Sequence, residues 1–185
     1  MDVTARTIAR ILKVNHAGEY GAIRIYRAQL WAAQRWHKGL VPFLGETLGH
    51  EIDHCQKFRD AMPARNARPC AAMSLWGVGG YTLGLITALM GVNAVMVCTK
   101  AVEQTVHRHL DEQIHYLAGK DETLRDLIVA IQIEETTHLD FARARVVPSL
   151  LNHALEMAIV VATEIVIWLS TQGAVSRMER VIRKQ

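Results

Sequence analysis

The sequence predicts an all-α fold in one domain of 185 residues. Long segments carry apolar residues at intervals of three and four, the spacing of helices that pack one face on a core. Strand signals are scarce, because there is no sustained apolar–polar alternation and no Asn-Gly or Asp-Gly pair to close a hairpin. Half of the residues are hydrophobic, so a chain of this length can bury a substantial core.

Turn-forming residues divide the chain into six predicted helical segments. The first ends at Lys38 and Gly39, a cation followed by a glycine, as helix ends often do. A loop at residues 64–69 with two arginines separates the second segment from the third, and Asp121 is a favourable N-cap for the fifth. The segments are residues 7–37, 43–62, 72–90, 94–117 and 121–146, and a C-terminal helix of about 149–183.

Charge and cysteine content restrict the classes of protein that fit. The net charge of +3 is spread along the chain, which is too weak for a nucleic-acid surface but suits an anionic membrane. The three cysteines, Cys55, Cys70 and Cys98, are isolated, so we expect reduced thiols in an intracellular compartment. The first residues have no apolar signal core, and no transit peptide is expected from them.

Two Glu-x-x-His motifs lie on predicted helices, Glu51 to His54 and Glu135 to His138. Residues three apart share a helix face, so each motif directs a carboxylate and an imidazole to one point. A single such motif is common by chance, and a third copy begins at Glu112. The third copy lies nine residues beyond Glu103, which places it on the opposite side of that helix.

The spacing of these residues reveals an internal repeat. Glu51 and Glu135 are 84 positions apart, as are His54 and His138, and as are Glu19 and Glu103. The pattern is therefore a Glu on one helix and Glu-x-x-His on the next, present twice. The third copy has no counterpart, because the residue 84 positions before Glu112 is Ala28.

Two helices with one Glu each and two with Glu-x-x-His form the ligand set of a di-iron carboxylate bundle. Four carboxylates and two neutral imidazoles balance two divalent ions and suit iron or manganese. Without a metal, six such groups in a core would be strongly destabilising. The predicted architecture is a ferritin-like four-helix bundle with two additional apolar helices, and its predicted metal ligands are Glu19, Glu51, His54, Glu103, Glu135 and His138.

Residues 69–99 contain no charged side chain, although about 20 apolar residues suffice to span a bilayer. A single crossing would place Glu103 across the membrane from Glu19, so the metal site could not assemble. If the chain instead turned back, the returning helix would have to carry the charged side chains of Lys100 and Glu103 through lipid, which costs free energy. The apolar crossover helix, about 69–93, is therefore expected to lie in one leaflet or to cover a hydrophobic channel or partner. Its Gly80-x-x-x-Gly84 spacing favours close helix packing.

Glycines flank the first predicted ligand in "NHAGEYGA", residues 15–22. Each glycine inside a helix costs about 1 kcal/mol relative to alanine. Gly18 and Gly21 therefore indicate either close helix–helix packing or room for metals or substrate beside Glu19.

Four stretches, "NHAGEYGA", "HEIDH", "AVEQTVHRH" and "EETTHLDFA", resemble the demethoxyubiquinone hydroxylases, the Coq7 family of ubiquinone biosynthesis. The resemblance covers nearly the whole chain and implies the same six ligands. It also implies O2-dependent hydroxylation of a polyprenylated methoxy-methyl benzoquinol, with two iron ions and with NADH as electron donor. A relay role is implied for His109, although a satisfied polar side chain is the alternative. Relatives have tyrosine where this chain has Leu110 and Trp168, which argues against a tyrosine relay.

A polyprenyl tail that stays in lipid would explain the apolar surface. The resemblance implies a peripheral protein of the inner membrane, on the cytoplasmic face in a bacterium or the matrix face in a mitochondrion. The same surface suits a lipid-presenting partner protein of the ubiquinone pathway or a second copy of this chain. Nucleic acid is not expected as a partner.

Two other functions share parts of the pattern. A ferritin-like iron-oxidising or peroxide-scavenging protein would have the same ligands, but it gives no reason for so large an uncharged segment. A non-enzymatic membrane scaffold would use the carboxylates in salt bridges alone, and the repeated spacing argues against it.

Overall fold

The computed structural model describes residues 2–170 and 174–182, without the side chains of six residues between 166 and 178. Within these ranges every regular element is helical, as the sequence predicts. Short 3-10 turns follow α1 and α2, at Lys38–Leu40 and Pro63–Arg65. The helices are α1 (Val3–Trp36), α2 (Val41–Ala61), α3 (Met73–Leu89), α4 (Val92–Leu117), α5 (Glu122–Arg143), α6 (Leu150–Ser170) and α7 (Ala174–Ile182).

Two helical hairpins, α1–α2 and α4–α5, form the four-helix bundle. They correspond to the two copies of the sequence repeat. Gly119, with φ of +71°, allows the sharp turn after α4, and the Asp121 side chain caps α5 by accepting from the Leu124 amide at 3.0 Å. The hairpins meet through α1 against α4 and α2 against α5, so all four repeat-bearing helices face one interior.

The apolar crossover helix α3 packs along α1 and also contacts α4 and α6. Gly80 and Gly84 make this close approach possible. A Cβ on Gly80 would lie 2.5 Å from the Gly21 carbonyl oxygen, and one on Gly84 would lie 2.3 Å from that of Ile25. The predicted role of this glycine pair in helix packing is therefore confirmed.

The C-terminal segment packs on the outside of the bundle. Helix α6 lies along α4 and α3, and α7 contacts α1, α4 and α6. Lys100 pairs with Glu156 at 2.8 Å, and Arg108 pairs with Glu164, so two ion pairs join α6 to α4. The sequence predicts one long helix here; the described residues form two, and 171–173 lie outside them.

Candidate metal centre

Six carboxylate and imidazole side chains meet in the bundle interior, one from each of α1 and α4 and two from each of α2 and α5. They are at most 5% exposed, although charged groups are rarely buried unless they are paired. The apolar residues at helical spacing around them turn these faces inward. They are the six predicted ligands, Glu19, Glu51, His54, Glu103, Glu135 and His138.

The six side chains form two overlapping groups. Glu19 and His54 complete one group, and Glu103 and His138 complete the other, while Glu51 and Glu135 belong to both. Within each group the ligand atoms all lie within 4.8 Å of one another. We call the place where the first group, with Glu19 and His54, could hold an ion position A. The corresponding place in the second group, with Glu103 and His138, is position B. The repeated motif predicts a pair of metal ions, and the two groups, which share two carboxylates, agree with this prediction.

Several atoms in the centre are buried without a hydrogen-bond partner, which tests whether a metal fits. His54 Nδ1 and Glu135 Oε1 lie only 2.8 Å apart but do not form a well-oriented hydrogen bond. Glu51 Oε1 is also unpartnered. Buried polar atoms left in this way cost free energy, whereas convergent carboxylate and imidazole lone pairs are the donors that iron and manganese accept. The residues therefore fit a pair of divalent ions.

Crowding of the acids changes their ionisation in the metal-free protein. Burial, followed by the charge of Glu135, raises the pKa of Glu19 to about 7. The same two causes raise the pKa values of Glu51 and Glu103 well above the ordinary range. Without metal, these carboxyls therefore hold protons that a divalent ion would displace.

The two ligand imidazoles have the opposite effect on the pKa of Glu135. Burial opposes ionisation of Glu135, yet the neighbouring His138 and His54 hold its pKa below the ordinary value. Burial likewise opposes protonation of His54, but Glu135 and Glu19 raise its pKa to about 9. The metal-free centre thus contains an ionised Glu135 between partly protonated neighbours.

Raising the pH is expected to destabilise the metal-free protein. Glu19 titrates near 4.5 when unfolded and about 7 when folded, and His54 near 6.5 and about 9. Both groups bind protons more tightly in the folded state, so their stabilisation is complete below the unfolded pKa and is lost as pH rises through the folded pKa. We expect Tm to fall by roughly 5 °C between pH 5 and pH 9. Thermal unfolding followed by circular dichroism measures this, and an unchanged or rising Tm would contradict it.

Among the residues that the structure describes, Glu134, His50 and Tyr26 lie outside the predicted ligand set and make polar contacts with it. Glu134 Oε2 lies 3.0 Å from His54 Nε2, and His50 Nδ1 lies 3.0 Å from His138 Nε2. The buried Tyr26 hydroxyl donates a hydrogen bond to Glu103. Sequence reasoning raised Glu134 as a residue that could orient a histidine but missed the other two. The available signals were that His50 precedes Glu134 by 84 positions, and that Tyr26 lies two helical turns after Glu19.

A family model described as "Ubiquinone biosynthesis protein COQ7" matches residues 6–170, which include every helix that contributes to the centre. The chain belongs to this family.

Relatives from three organisms agree with the family assignment. A Homo sapiens protein named "NADPH-dependent 3-demethoxyubiquinone 3-hydroxylase, mitochondrial" is 37% identical over 85% of this chain and 70% of its own length. A Rhodospirillum rubrum "3-demethoxyubiquinol 3-hydroxylase" is 36% identical over 90% and 78%, respectively. A Saccharomyces cerevisiae "5-demethoxyubiquinone hydroxylase, mitochondrial" is 32% identical over 76% and 67%.

His109 does not belong to either ligand group of this family member. Its Nε2 lies 3.5 Å from Glu164 on α6, and its Nδ1 lies 3.6 Å from Glu179 on α7. It is buried where the C-terminal helices cover α4. A relay role for His109 stays a prediction, and a direct role as ligand has no support from this placement.

The third Glu-x-x-His copy lies outside the centre. His115 is exposed, and its Nδ1 lies 2.7 Å from the Asp111 carbonyl oxygen. Neither Glu112 nor His115 joins a possible metal-binding group among the described residues. The repeat spacing therefore distinguished the copies that converge from the one that does not.

The glycines beside Glu19 have different surroundings. A Cβ on Gly21 would lie 2.7 Å from the Trp76 ring of α3, so Gly21 serves helix packing. A Cβ on Gly18 would meet nothing within 4 Å, because Gly18 borders a cavity. The packing expectation is confirmed for Gly21, which also lines the cavity, and room for metals or substrate beside Glu19 stays a prediction.

The cavity beside Gly18 has a volume of about 110 Å³ and lies between α1, α3, α4 and α6. Gly18 of α1 adjoins Glu19 in the chain, and Val102, which lines the cavity from α4, adjoins Glu103. The lining is almost entirely apolar, with Trp76, Leu83 and Ile167 among its larger side chains. An apolar space thus runs beside the segments that carry two of the six predicted ligands.

Proposed function

We propose that this chain is a di-iron monooxygenase that hydroxylates the ring of demethoxyubiquinol, a polyprenylated methoxy-methyl benzoquinol, with O2. The observation that carries the proposal is the pair of overlapping ligand groups that share Glu51 and Glu135. The family assignment and the hydroxylase names of the relatives support the substrate and the reaction.

In this proposal Glu19 and His54 would hold one iron ion and Glu103 and His138 the other, and Glu51 and Glu135 would contribute to holding both. Four carboxylates and two neutral imidazoles neutralise two Fe(II) ions, which lowers the cost of burying so much charge. Two bound iron ions supply the redox chemistry that places one atom of O2 on the ring and releases the other as water. The protein's own contribution is to fix the ligands in a rigid core and to exclude bulk water.

The apolar cavity is suited to admit the quinol. Gly18 and Val102, which line it, are the chain neighbours of Glu19 and Glu103, and in this proposal the ring enters the protein here. Tail and ring are largely apolar, and burial of apolar surface contributes about 25 cal/mol per Å² to binding. The open space at Gly18 leaves room that any larger residue would reduce.

Membrane docking is proposed through the exposed apolar faces of α3 and α6. These faces include Val78, Ile86 and Leu89 on α3 and Val161 and Trp168 on α6. By length and composition, residues Leu150–Leu169 could cross a bilayer. The ion pairs of Glu156 and Glu164 with α4 instead favour an α6 that rests on the bundle and presents its other face to lipid. This supports a peripheral location on the inner membrane.

Replacing Val78 with lysine is expected to weaken binding to zwitterionic phosphatidylcholine vesicles about tenfold, since a charge replaces apolar surface that would enter lipid and these vesicles carry no net charge to attract it. Ile133→Lys on α5 is the matched control, because Ile133 is 66% exposed and Val78 is 67% exposed. Vesicle co-sedimentation measures binding, and metal content checks the fold. Equal loss in both variants would contradict docking through α3.

Electron donor and partners belong to the same proposal. NADH is the expected donor; since the human relative is named NADPH-dependent, both nucleotides should be compared. The exposed faces of α3 and α6 also suit a lipid-presenting protein or a second copy of this chain. The mitochondrial names of the human and yeast relatives support the matrix face in a eukaryote, and a bacterial chain would lie on the cytoplasmic face.

The decisive test is anaerobic reconstitution with Fe(II) and demethoxyubiquinol, followed by labelled O2 and mass spectrometry of the quinone. One labelled oxygen on the ring, absent with Glu103→Ala, is the expected result. O2 consumption without a modified quinone would favour a ferritin-like iron-oxidising or peroxide-scavenging protein. No uptake of iron or O2 would contradict the metal centre itself.

A further inference from the structure

The two ligand imidazoles have the same orientation but different partners. Each directs Nδ1 at Glu135, with distances of 2.8 Å for His54 and 3.1 Å for His138. Each directs Nε2 out of the centre, His54 towards the Glu134 carboxylate and His138 towards the His50 imidazole, both at 3.0 Å. The outer nitrogen of one ligand imidazole therefore contacts a carboxylate, and that of the other contacts a second imidazole.

The repeat explains how this difference arises. His50 and Glu134 are 84 positions apart, so they are the same position in the two copies. Each precedes the Glu of its own Glu-x-x-His motif and contacts the histidine of the other copy. The backbone arrangement is thus duplicated, while the chemistry at this one position differs.

The partner determines how strongly each histidine binds a metal. A metal on Nδ1 leaves the ring proton on Nε2, which then donates to the outer partner. Glu134 accepts this proton as a carboxylate, and charge-assisted hydrogen bonds are about twice as strong as neutral ones. His50 can accept this proton only in the tautomer that leaves its Nδ1 unprotonated, and it then brings no negative charge to the contact. His54 should therefore be the more basic ligand of the two.

A second difference at the centre acts in the same direction. The Tyr26 hydroxyl donates to Glu103 of position B, which draws charge away from that ligand. The repeat counterpart of Tyr26 is Leu110, which has no hydroxyl. Position B therefore has a weakened carboxylate as well as a histidine with an uncharged partner.

We propose that the two metal positions are inequivalent: position A, with Glu19 and His54, binds the first divalent ion more tightly, and position B, with Glu103 and His138, binds the second. Glu134 is the positioning residue that strengthens A, and His50 and Tyr26 keep B weaker. The inference rests on the proposed di-metal centre, but not on the identity of the organic substrate.

Mn(II) binding to the metal-free 185-residue chain tests the order of affinities. The free Mn(II) signal in electron paramagnetic resonance gives the isotherm without any assay of activity. Two resolved binding steps are expected for the unaltered chain. Glu103→Ala isolates position A and Glu19→Ala isolates position B, and A should bind at least about tenfold more tightly than B.

Variants of the residues that contact the ligands from outside then test what causes the difference in affinity between the two positions. Glu134→Gln should weaken Mn(II) binding about 10–100-fold in the Glu103→Ala background and leave the Glu19→Ala background nearly unchanged. His50→Glu should strengthen binding about tenfold at position B alone, a gain that the loss of a merely structural contact would not produce. Tyr26→Phe should also strengthen B. Circular dichroism of each metal-free variant shows whether it remains folded.

The outcomes separate this inference from the proposed function. If the unaltered chain binds fewer than two Mn(II), the di-metal centre of the proposed function fails, and this inference fails with it. If it binds two with equal affinities in the isolated positions, or if Glu134→Gln weakens both positions equally, the inequivalence is overturned while the di-metal centre stands.

Discussion

Replacing Glu135 with alanine is expected to abolish hydroxylation and, at the proposed di-iron centre, to reduce bound iron from two ions per chain to fewer than one. Glu135 belongs to both ligand groups and lies within 3.1 Å of both ligand imidazoles. Its loss therefore weakens both positions together. A metal centre contributes several kcal/mol of transition-state stabilisation, so we expect the rate to fall at least about 1,000-fold.

Glu112→Ala is the matched control for this experiment. It removes the acid of the third Glu-x-x-His copy, which lies outside both ligand groups. Iron content by elemental analysis and labelled product by mass spectrometry should remain as in the unaltered chain. Two retained iron ions in Glu135→Ala, or equal losses in the two variants, would contradict the assignment of Glu135 to both positions.

Replacing Gly84 with alanine is expected to lower stability by about 3 kcal/mol, which is roughly 6–12 °C in Tm. The new Cβ would lie 2.3 Å from the Ile25 carbonyl oxygen and 2.8 Å from the Ile25 Cα. These are backbone atoms, so no side chain can rotate away, and α3 must move from α1. The movement would also distort the cavity between these helices.

Gly45→Ala in α2 provides the control, because a Cβ there meets nothing within 4 Å. Alanine favours a helix interior over glycine by about 0.5–1 kcal/mol, so this variant should be slightly more stable than the unaltered chain. Thermal unfolding of both variants measures the difference. A stabilised Gly84→Ala protein would mean that α3 does not pack on α1 as described.

The amino-acid sequence by itself was sufficient to predict the helices of the bundle and the six side chains that converge inside it. The boundaries of the first five predicted helices agree to within about four residues, because capping residues such as Asp121 and turn glycines such as Gly119 act locally. The sixth predicted helix is two helices in the described residues. The 84-residue repeat selected two of three Glu-x-x-His motifs. A repeat works in this way because duplicated helices present equivalent positions to a common interior.

Only the tertiary structure decided which further residues support the centre. His50 and Tyr26 contact ligands of the opposite copy, 88 and 77 positions away, and no local pattern specifies such pairs. The same holds for the glycines: Gly18 and Gly21 both line the cavity and are three residues apart on one helix, yet only Gly21 has the Trp76 ring packed against it. The physical reason is that helix periodicity fixes the face on which a side chain lies, whereas the packing of distant helices fixes what that face contacts.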